Sequence, residues 1–378
     1  MKDTVFVCAG GTGGHVFPGL AVADALTSVA DVECRFFGTA RGLESRVVPE
    51  RGYPLELLPV SPMKGGGPVR FAKGALSVVA SLGAVAAEFR KYKPKAVVSV
   101  GGYSAGPASV FAVATGVPLL VIEPNAVPGF THRALARFTT RAYVAWDEVK
   151  ATFGGDRARA FGVPLRRGFV PRTYEPGPSR KVLVLGGSLG AQALNERLPP
   201  ALGKVAKDVS GLSVVHQTGK DKEPLVRALY DRAGVANVRC VDFLDDVAQE
   251  IASSDLVVAR AGAVTVAEIA CLGRPSLLVP FPYAADDHQL KNALLYEGRG
   301  ACRVVAQDRA TVERLSSEIT RVLADPELRS NMARAAQRAG RPDAAIEVAC
   351  DVVELCGLTL RSQERGSTTG ARRPREVH

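Results

Sequence analysis

A histidine closes the first of three glycine-rich loops in this sequence. The loop, Gly10-Gly11-Thr12-Gly13-Gly14-His15, follows an apolar run at residues 4–9. Glycines let backbone N–H groups approach a ligand closely, and the helix that follows adds a partial positive charge, so phosphate or pyrophosphate is the expected ligand. An unperturbed histidine, with a pKa of about 6.5, suits a general base. We expect His15 to face a cleft if the next helix begins near Pro18.

Two further glycine loops also follow apolar runs. One begins at Gly101-Gly102-Tyr103 and the other at Gly186-Gly187-Ser188. The sequence contains no Gly-Lys-Ser or Gly-Lys-Thr triplet, which argues against a P-loop ATPase. It also contains no Asp-X-Asp motif in a suitable loop, so we predict neither a metal nor a cofactor. Helix N-termini would instead neutralise the negative charge of a pyrophosphate.

The elements that must position these loops are apolar runs alternating with helical segments. This alternation predicts doubly wound parallel sheets, and the same strand–glycine–helix opening recurs at residues 10 and 186. We therefore predict two Rossmann-like domains, residues 1–163 and 164–340, with a hinge near residue 164. A helix at about 341–360 would complete the first domain, residues 312–339 read as helical, and the basic tail at 361–378 reads as disordered.

Composition narrows the class of protein. The chain has 378 residues and a formal net charge of +10, which favours anionic partners. The basic residues are scattered, which argues against nucleic acid as a partner.

Seven cysteines without a Cys-X-X-Cys pair indicate free thiols in a reducing compartment. The N-terminus does not read as a signal peptide, and the longest apolar stretch, 75–87, is too short to span a bilayer. We expect a cytoplasmic protein.

Together, the three glycine loops and the run Arg260-Ala261-Gly262-Ala263-Val264-Thr265-Val266-Ala267-Glu268-Ile269 resemble one bacterial family. It is the UDP-N-acetylglucosamine:undecaprenyl-diphospho-muramoyl-pentapeptide N-acetylglucosaminyltransferase family, which makes lipid II from lipid I. The resemblance covers residues 1 to about 355. It implies a GT-B fold, with two domains facing a cleft, and inverting transfer of N-acetylglucosamine from UDP-N-acetylglucosamine to the C4 hydroxyl of the muramoyl sugar, in peptidoglycan synthesis. It also implies a peripheral position on the inner face of the cell membrane.

The same resemblance assigns donor-side residues. It implies that Glu268 binds the ribose hydroxyls, that the main chain of Leu244 reads uracil, and that Arg166 meets the nucleotide from the hinge. Gln289 would recognise sugar hydroxyls, although His288 stands where many relatives have a second glutamine. The diphosphate would bind the N–H groups of Gly262, Ala263 and Thr265 at the start of one helix and the Ser188 hydroxyl of the third loop. Val264, Val266 and Ala267 of the same run are also expected to bind the substrate.

The remaining assignments concern the sugar and the acceptor. The resemblance implies that Asn125 reaches across the cleft toward the sugar, while Pro124 and Leu189 replace glutamines frequent in the family. The loops of the first domain, including Thr12, Gly13 and Gly14, would bind the acceptor's diphosphate or touch the donor on closure. Whether His15 removes the acceptor proton or only orients the acceptor stays open.

One segment suits contact with lipid. Residues 63–71 and 90–93 place basic side chains on either side of the apolar stretch 75–87, an arrangement that suits an interfacial patch on an anionic membrane surface. A plain core helix is the alternative.

Two rival functions also stay open, a UDP-N-acetylglucosamine 2-epimerase and a non-catalytic UDP-sugar sensor.

Overall fold

Two parallel β-sheets form the framework of the protein. The structure is a computed structural model that describes residues 2–60, 68–102, 104–178, 180–187 and 190–361, with side chains from residue 80 onward in the helix at Pro68–Tyr92. The first sheet has seven strands in the order β3-β2-β1-β4-β5-β6-β7, and the second has six in the order β10-β9-β8-β11-β12-β13. The strands are β1 (Asp3–Ala9), β2 (Val32–Gly38), β3 (Leu55–Leu57), β4 (Ala96–Gly101), β5 (Leu119–Glu123), β6 (Arg141–Val144), β7 (Ala158–Arg159), β8 (Arg180–Leu185), β9 (Leu212–Gln217), β10 (Val238–Val241), β11 (Leu256–Ala259), β12 (Ser276–Leu278) and β13 (Cys302–Val304).

Helices connect successive strands and cover the sheets. The central strands are apolar on both faces, and Val5, Phe6, Val7 and Cys8 of β1 are almost completely buried, as expected for strands covered by helices on two sides. The helices are α1 (Gly13–Val29), α2 (Glu44–Glu50), α3 (Pro68–Tyr92), α4 (Ala105–Thr115), α5 (Phe130–Leu135), α6 (Gln192–Asp208), α7 (Glu223–Ala233), α8 (Val247–Ala252), α9 (Ala263–Leu272), α10 (His288–Gly298), α11 (Val312–Ala324), α12 (Pro326–Ala339) and α13 (Ala344–Cys356).

Two helix boundaries differ from the sequence-based expectation. Helix α1 begins at Gly13 and contains Pro18, so His15 lies in its first turn and not in a loop before it. Proline favours the first helical position, but here it lies further along and provides no N–H for the carbonyl of Gly14. The segment 312–339 is two helices because Asp325 caps the second, accepting from the N–H of Leu328, and Pro326 opens it.

The chain crosses back to the first sheet at its end. Helix α13 packs on α1, and the Asp351 carboxylate accepts a hydrogen bond from Tyr143 Oη of β6 at 2.7 Å. After α13, Leu360 pairs with Ala30, and the N–H of Arg361 donates to the Val29 carbonyl. The last described residues therefore belong to the layer that covers β1 and β2.

The second half of α3 packs into the core of the first sheet. Val85 and Phe89 are buried, and the Phe89 ring lies 5.2 Å from that of Phe6 and 4.8 Å from that of Phe111. Within the described ranges, no helix combines the length and apolarity needed to cross a membrane. Residues 63–67 of the predicted lipid patch lie outside the described residues, as do residues 362–378 of the basic tail.

Candidate active site

The candidate site lies where the carboxyl ends of the two sheets meet. In open parallel sheets this edge is where ligands bind, because loops and helix N-termini converge there. Hydrogen bonds and ion pairs hold the residues of this edge together. Asn292 Oδ1 accepts from the Ala126 N–H at 2.8 Å, and Arg133 Nη2 lies 2.8 Å from Asp286 Oδ2. Arg166, which follows the first sheet, lies beside Glu268 of α9.

A buried carboxylate holds the first glycine loop in place. Glu44, completely buried at the start of α2, accepts hydrogen bonds from the Gly11 N–H at 2.8 Å and from the Thr39 N–H at 2.8 Å. The Gly11 N–H is therefore already used within the protein. Thr12 stands at the N-cap of α1 without a side-chain capping bond. The N–H groups of Gly13 and Gly14 open the helix, where no intrahelical acceptor exists for them.

The second glycine loop packs backbone to backbone against the first. The register between β1 and β4 shifts at Cys8 and Ala9, so that Ala9 pairs with Gly101. Gly102 has a φ of +86°, and a Cβ there would lie 2.3 Å from the carbonyl oxygen of Gly10. Only glycine fits this contact. The two loops thus form one surface, of which Tyr103 lies outside the described residues.

His15 lies against this second loop. A Cβ on Gly101 would be 3.1 Å from the His15 ring, and the same position would be 3.6 Å from the ring of His132. The Nδ1 of His15 is buried, and the backbone of Gly10 is the hydrogen-bonding group near the ring. Burial lowers the pKa of His15, although the nearby Glu123 carboxylate acts in the opposite direction. The imidazole is therefore neutral at neutral pH and can accept a proton.

Beneath His15, a buried carboxylate binds a second histidine. Glu123 Oε2 accepts from His132 Nδ1 at 2.8 Å, and His132 Nε2 lies 3.3 Å from Ser99 Oγ. Burial alone would raise the pKa of Glu123, but the His132 hydrogen bond and charge, together with the N–H groups of Gly129 and Asn125, hold it below its usual value. Neither Glu123 nor His132 was predicted as a site residue, since the pair forms only when β5 and α5 are brought together.

Asn125 is part of the same network and contacts the second half. Its N–H donates to Glu123 Oε1 at 3.0 Å, and its Oδ1 accepts from Asn292 Nδ2 at 3.3 Å. Asn292 is completely buried on α10 and also donates to the Ala261 carbonyl at 3.2 Å. A buried polar side chain that joins both halves could not be recognised before the fold was known.

The second half of the chain forms the other wall of the cleft. Its helix α9 begins at Ala263, and the N-terminus of this helix faces the cleft edge. Gly262 is the N-cap without a side-chain capping bond, so the N–H groups of Ala263, Val264 and Thr265 have no intrahelical acceptor. Such a turn attracts anions. One turn further, Ala267 is partly exposed, whereas Val266 is buried in the core.

Glu268 and Arg166 form an ion pair in this wall. Arg166 Nη2 lies 3.6 Å from Glu268 Oε1, and the guanidinium carbon lies 4.9 Å from the centre of the Phe17 ring on α1. Burial raises the pKa of Glu268 to about 7, with Arg166 only partly opposing the rise. A carboxylate at this place can accept hydrogen bonds from hydroxyl groups.

The remaining predicted residues lie around the same edge. Gln289 Oε1 accepts from the Phe281 N–H at 3.0 Å and so restrains the loop after β12. Leu244 is buried after β10, leaving only its main chain for recognition. Ser188 and Leu189 lie outside the described residues. Arg260, which donates to the Val279 and Pro280 carbonyls, also supports that loop and was not predicted.

Comparison with known proteins assigns the family. Residues 5–144 match the glycosyltransferase family 28 N-terminal domain, and residues 181–348 match the glycosyltransferase family 28 C-terminal domain. The chain belongs to glycosyltransferase family 28. The expected GT-B architecture, with two parallel-sheet units facing a cleft, is confirmed.

Relatives of this family 28 chain extend over nearly its whole length. A protein of Sorangium cellulosum is 46% identical over 381 residues, covering 98% of this chain and 93% of its own. One of Myxococcus xanthus is 39% identical over 375 residues, with 96% of both chains covered. Both are named UDP-N-acetylglucosamine--N-acetylmuramyl-(pentapeptide) pyrophosphoryl-undecaprenol N-acetylglucosamine transferase. The family resemblance predicted from the glycine loops is confirmed.

One solved structure gives the same assignment, and a second shares only the fold. The crystal structure of Acinetobacter baumannii MurG superimposes with a TM-score of 0.77 at 31% identity, covering 94% of this chain and all of that one. A UDP-GlcNAc 2-epimerase from Neisseria meningitidis, bound to UDP-GlcNAc, reaches 0.67 at 14% identity, covering 93% of this chain and 100% of that one. The likeness to the epimerase shows the fold alone.

Proposed function

We propose that this family 28 transferase moves N-acetylglucosamine from UDP-N-acetylglucosamine to the C4 hydroxyl of the muramoyl sugar of lipid I, giving lipid II for peptidoglycan synthesis. The observation that carries the proposal is the 46% identity, over 98% of the chain, to a relative named for this transfer. The epimerase alternative is not favoured, because its structural likeness is accompanied by only 14% identity.

The donor is proposed to bind the wall formed by α9. The N–H groups at the start of that helix, from Gly262 to Thr265, and the Ser188 hydroxyl would stabilise the diphosphate. Glu268 would leave Arg166 to accept hydrogen bonds from the ribose hydroxyls, freeing the guanidinium for the nucleotide. The 3.6 Å separation of the pair supports this exchange, because both groups are already at the cleft edge.

The sugar is proposed to lie between Asn125 and Gln289, with Leu244 reading uracil through its main chain. Asn125 already hydrogen-bonds Asn292 of the second half, which supports its predicted reach across the cleft. Thr12, Gly13 and Gly14 would bind the acceptor's diphosphate or touch the donor on closure. His15 would accept the proton of the attacking hydroxyl. Its lowered pKa supports that step because the neutral ring is the form that can act as a base.

We also propose that residues 1–163, with the returning helix near 341–360, form the acceptor-side unit and residues 164–340 the donor-side unit. The division is supported by the confinement of β1–β7 to residues 3–159 and of β8–β13 to residues 180–304. The proposal also places the protein peripherally on the inner face of the cell membrane. It includes an anionic lipid surface as a partner and excludes nucleic acid. The net charge of +10 supports contact with an anionic surface.

The test is release of UDP with and without a lipid I analogue. The proposal requires UDP release that depends on the acceptor and forms the disaccharide product. UDP release, or conversion of the sugar, that is indifferent to the analogue would refute it. Tight donor binding without turnover would favour the non-catalytic sensor.

A further inference from the structure

His132 is a buried histidine to which the proposed transfer assigns no part. It lies on α5, is 3% exposed, and its Nδ1 donates to Glu123 Oε2 at 2.8 Å. Its Nε2 lies 3.3 Å from Ser99 Oγ of β4. With the proton on Nδ1, Nε2 is left to accept from the Ser99 hydroxyl, so both ring nitrogens have a partner. The ring is therefore held in one orientation against the Glu123 carboxylate.

The Glu123 carboxylate in turn holds the chain segment after β5, which carries Asn125. Its Oε1 accepts from the Asn125 N–H at 3.0 Å and from Asn125 Nδ2 at 3.3 Å, and its Oε2 accepts from the Gly129 N–H at 2.9 Å. Together with the bond from His132, these are four hydrogen bonds to one buried group. An ionised carboxylate can accept all four, because its two oxygens offer about four lone-pair sites. A protonated carboxyl would have to donate one itself.

These contacts fix which end of the Asn125 amide faces which neighbour. A carboxylate only accepts, so only Nδ2 of Asn125 can face Glu123. At the other end, Asn125 Oδ1 accepts from Asn292 Nδ2 at 3.3 Å, and Asn292 Nδ2 also donates to the Ala261 carbonyl at 3.2 Å. The partly exposed Asn125 side chain is left with one N–H of Nδ2 and one lone pair of Oδ1 for a ligand, in a fixed order.

We propose that His132 is a positioning residue for the sugar of the donor. By holding the Glu123 carboxylate in its ionised form, it fixes the donor and the acceptor that Asn125 presents to the sugar hydroxyls. The inference rests on the proposed function in one respect, the assignment of Asn125 to the donor sugar. Because His132 is buried, it acts through Glu123 and Asn125 and not by contact with the substrate.

The environment of Glu123 explains why it needs this partner. Burial raises the pKa of the Glu123 carboxyl, and the His132 hydrogen bond is the largest of the contacts that bring it below its usual value. Without that donor the buried carboxyl takes up a proton more readily. Once protonated, it could donate to Asn125 Oδ1 instead of accepting from Nδ2. The order of donor and acceptor on the Asn125 amide would then no longer be fixed.

The experiment compares the affinities of the full chain for UDP-N-acetylglucosamine and for UDP by isothermal titration calorimetry, without an acceptor. The dissociation constant for UDP-N-acetylglucosamine divided by that for UDP isolates the contribution of the sugar, because both ligands share the nucleotide. His132→Phe keeps a ring but donates no hydrogen bond. We expect it to raise this ratio about three- to tenfold, the effect of misdirecting one hydrogen bond, with UDP affinity unchanged.

Two further variants separate positioning from a loss of folding. His132→Asn places an amide Nδ2 where the histidine has Nδ1, so it can still donate to Glu123 and should restore the parental ratio. A raised ratio in His132→Asn would refute the role of the Nδ1 donor. Glu123→Gln keeps the shape of the side chain but turns an NH₂ group toward one of the donors. It should raise the ratio like His132→Phe, and it decides the question if His132→Phe does not fold.

Tyr143→Phe is the matched control. Tyr143 is buried in the same sheet and donates to Asp351 Oδ2 of α13 at 2.7 Å, so this variant also loses a buried hydrogen bond to a carboxylate. It should lower the Tm as His132→Phe does and leave the ratio unchanged. The proposal is overturned if the ratio stays parental in His132→Phe and Glu123→Gln, or if it rises equally in Tyr143→Phe. Acceptor-dependent UDP release by the parent is measured separately, and its absence would refute the proposed transfer without altering the binding test.

Discussion

Replacing Glu268 by glutamine should make the protein more stable at alkaline pH while impairing it as an enzyme. The Glu268 carboxyl has a pKa raised from 4.5 to about 7. The native state therefore binds this proton more tightly than the unfolded chain, and its stability falls as pH rises between these two values. Above pH 7 the ionised, buried carboxylate lowers the free energy of unfolding by about 3 kcal/mol relative to a neutral one.

Glutamine keeps the shape of the side chain and carries no charge, so Glu268→Gln removes this cost. It also leaves Arg166 without its partner, but that side chain is 29% exposed and stays partly hydrated. Because the raised pKa already includes the ion pair with Arg166, that pair needs no separate allowance, and we expect a net gain of about 3 kcal/mol at pH 8. For a unit of this size the gain corresponds to roughly 6–12 °C in Tm. At pH 5 the native carboxyl is protonated and the pH lies close to the unfolded value of 4.5, so the gain should fall below about 1 kcal/mol.

The assay is differential scanning calorimetry of the parent and the variant at both pH values, with UDP affinity measured in parallel. Glu354→Gln, exposed on α13, is the matched control and should behave like the parent throughout. UDP should bind Glu268→Gln more weakly, since an amide is a poorer acceptor for two ribose hydroxyls. An equal gain at pH 5 and pH 8, or a loss at pH 8, would refute the electrostatic reasoning.

Three further predictions concern the cleft. His15→Ala should lower acceptor-dependent UDP release by about 10²–10⁴-fold with UDP affinity retained, and an unchanged rate would remove His15 from the mechanism. Gly101→Ala should also slow turnover, because a Cβ would lie 3.1 Å from the His15 ring at a backbone φ of +107°; normal kcat in a folded variant would contradict this. Asn292→Ala should cost about 1–3 kcal/mol in unfolding free energy by leaving the Ala126 N–H unpaired. The exposed neighbour Lys291→Ala is its control in urea denaturation, and equal midpoints would count against the contact.

The strands of this fold were largely readable from the sequence. Parallel strands covered on both sides are continuous apolar runs, and β11 begins and ends where such a run does. Three short edge strands, β3, β7 and β13, were not predicted, because two or three residues carry too little pattern. The start of α1 was misplaced because proline was taken as the first helical residue, whereas two glycines already adopt helical geometry before it.

The site was predictable where the chemistry resides in loops and unpredictable where it depends on packing. The glycine loops and Glu268 stand beside recognisable strand ends. Glu44 supports the first loop from a helix more than thirty residues away, and no local pattern distinguishes it from a solvated carboxylate. Buried polar contacts between distant segments become visible only when the sheets are assembled. The division of the chain at residue 164 and the binding roles of the individual residues stay predictions.

The return of α13 to the first sheet sets the order in which the protein can mature on the ribosome. Domains emerge and fold from the N-terminus as synthesis proceeds, but the layer over β1 and β2 includes residues 344–361. The first sheet is therefore synthesised early and covered last, after the entire second sheet has emerged. Until then the face of α1 that receives α13 is open to solvent or to a chaperone. A nascent chain whose first 343 residues have emerged from the ribosome should thus carry a folded second sheet beside an unfinished first one.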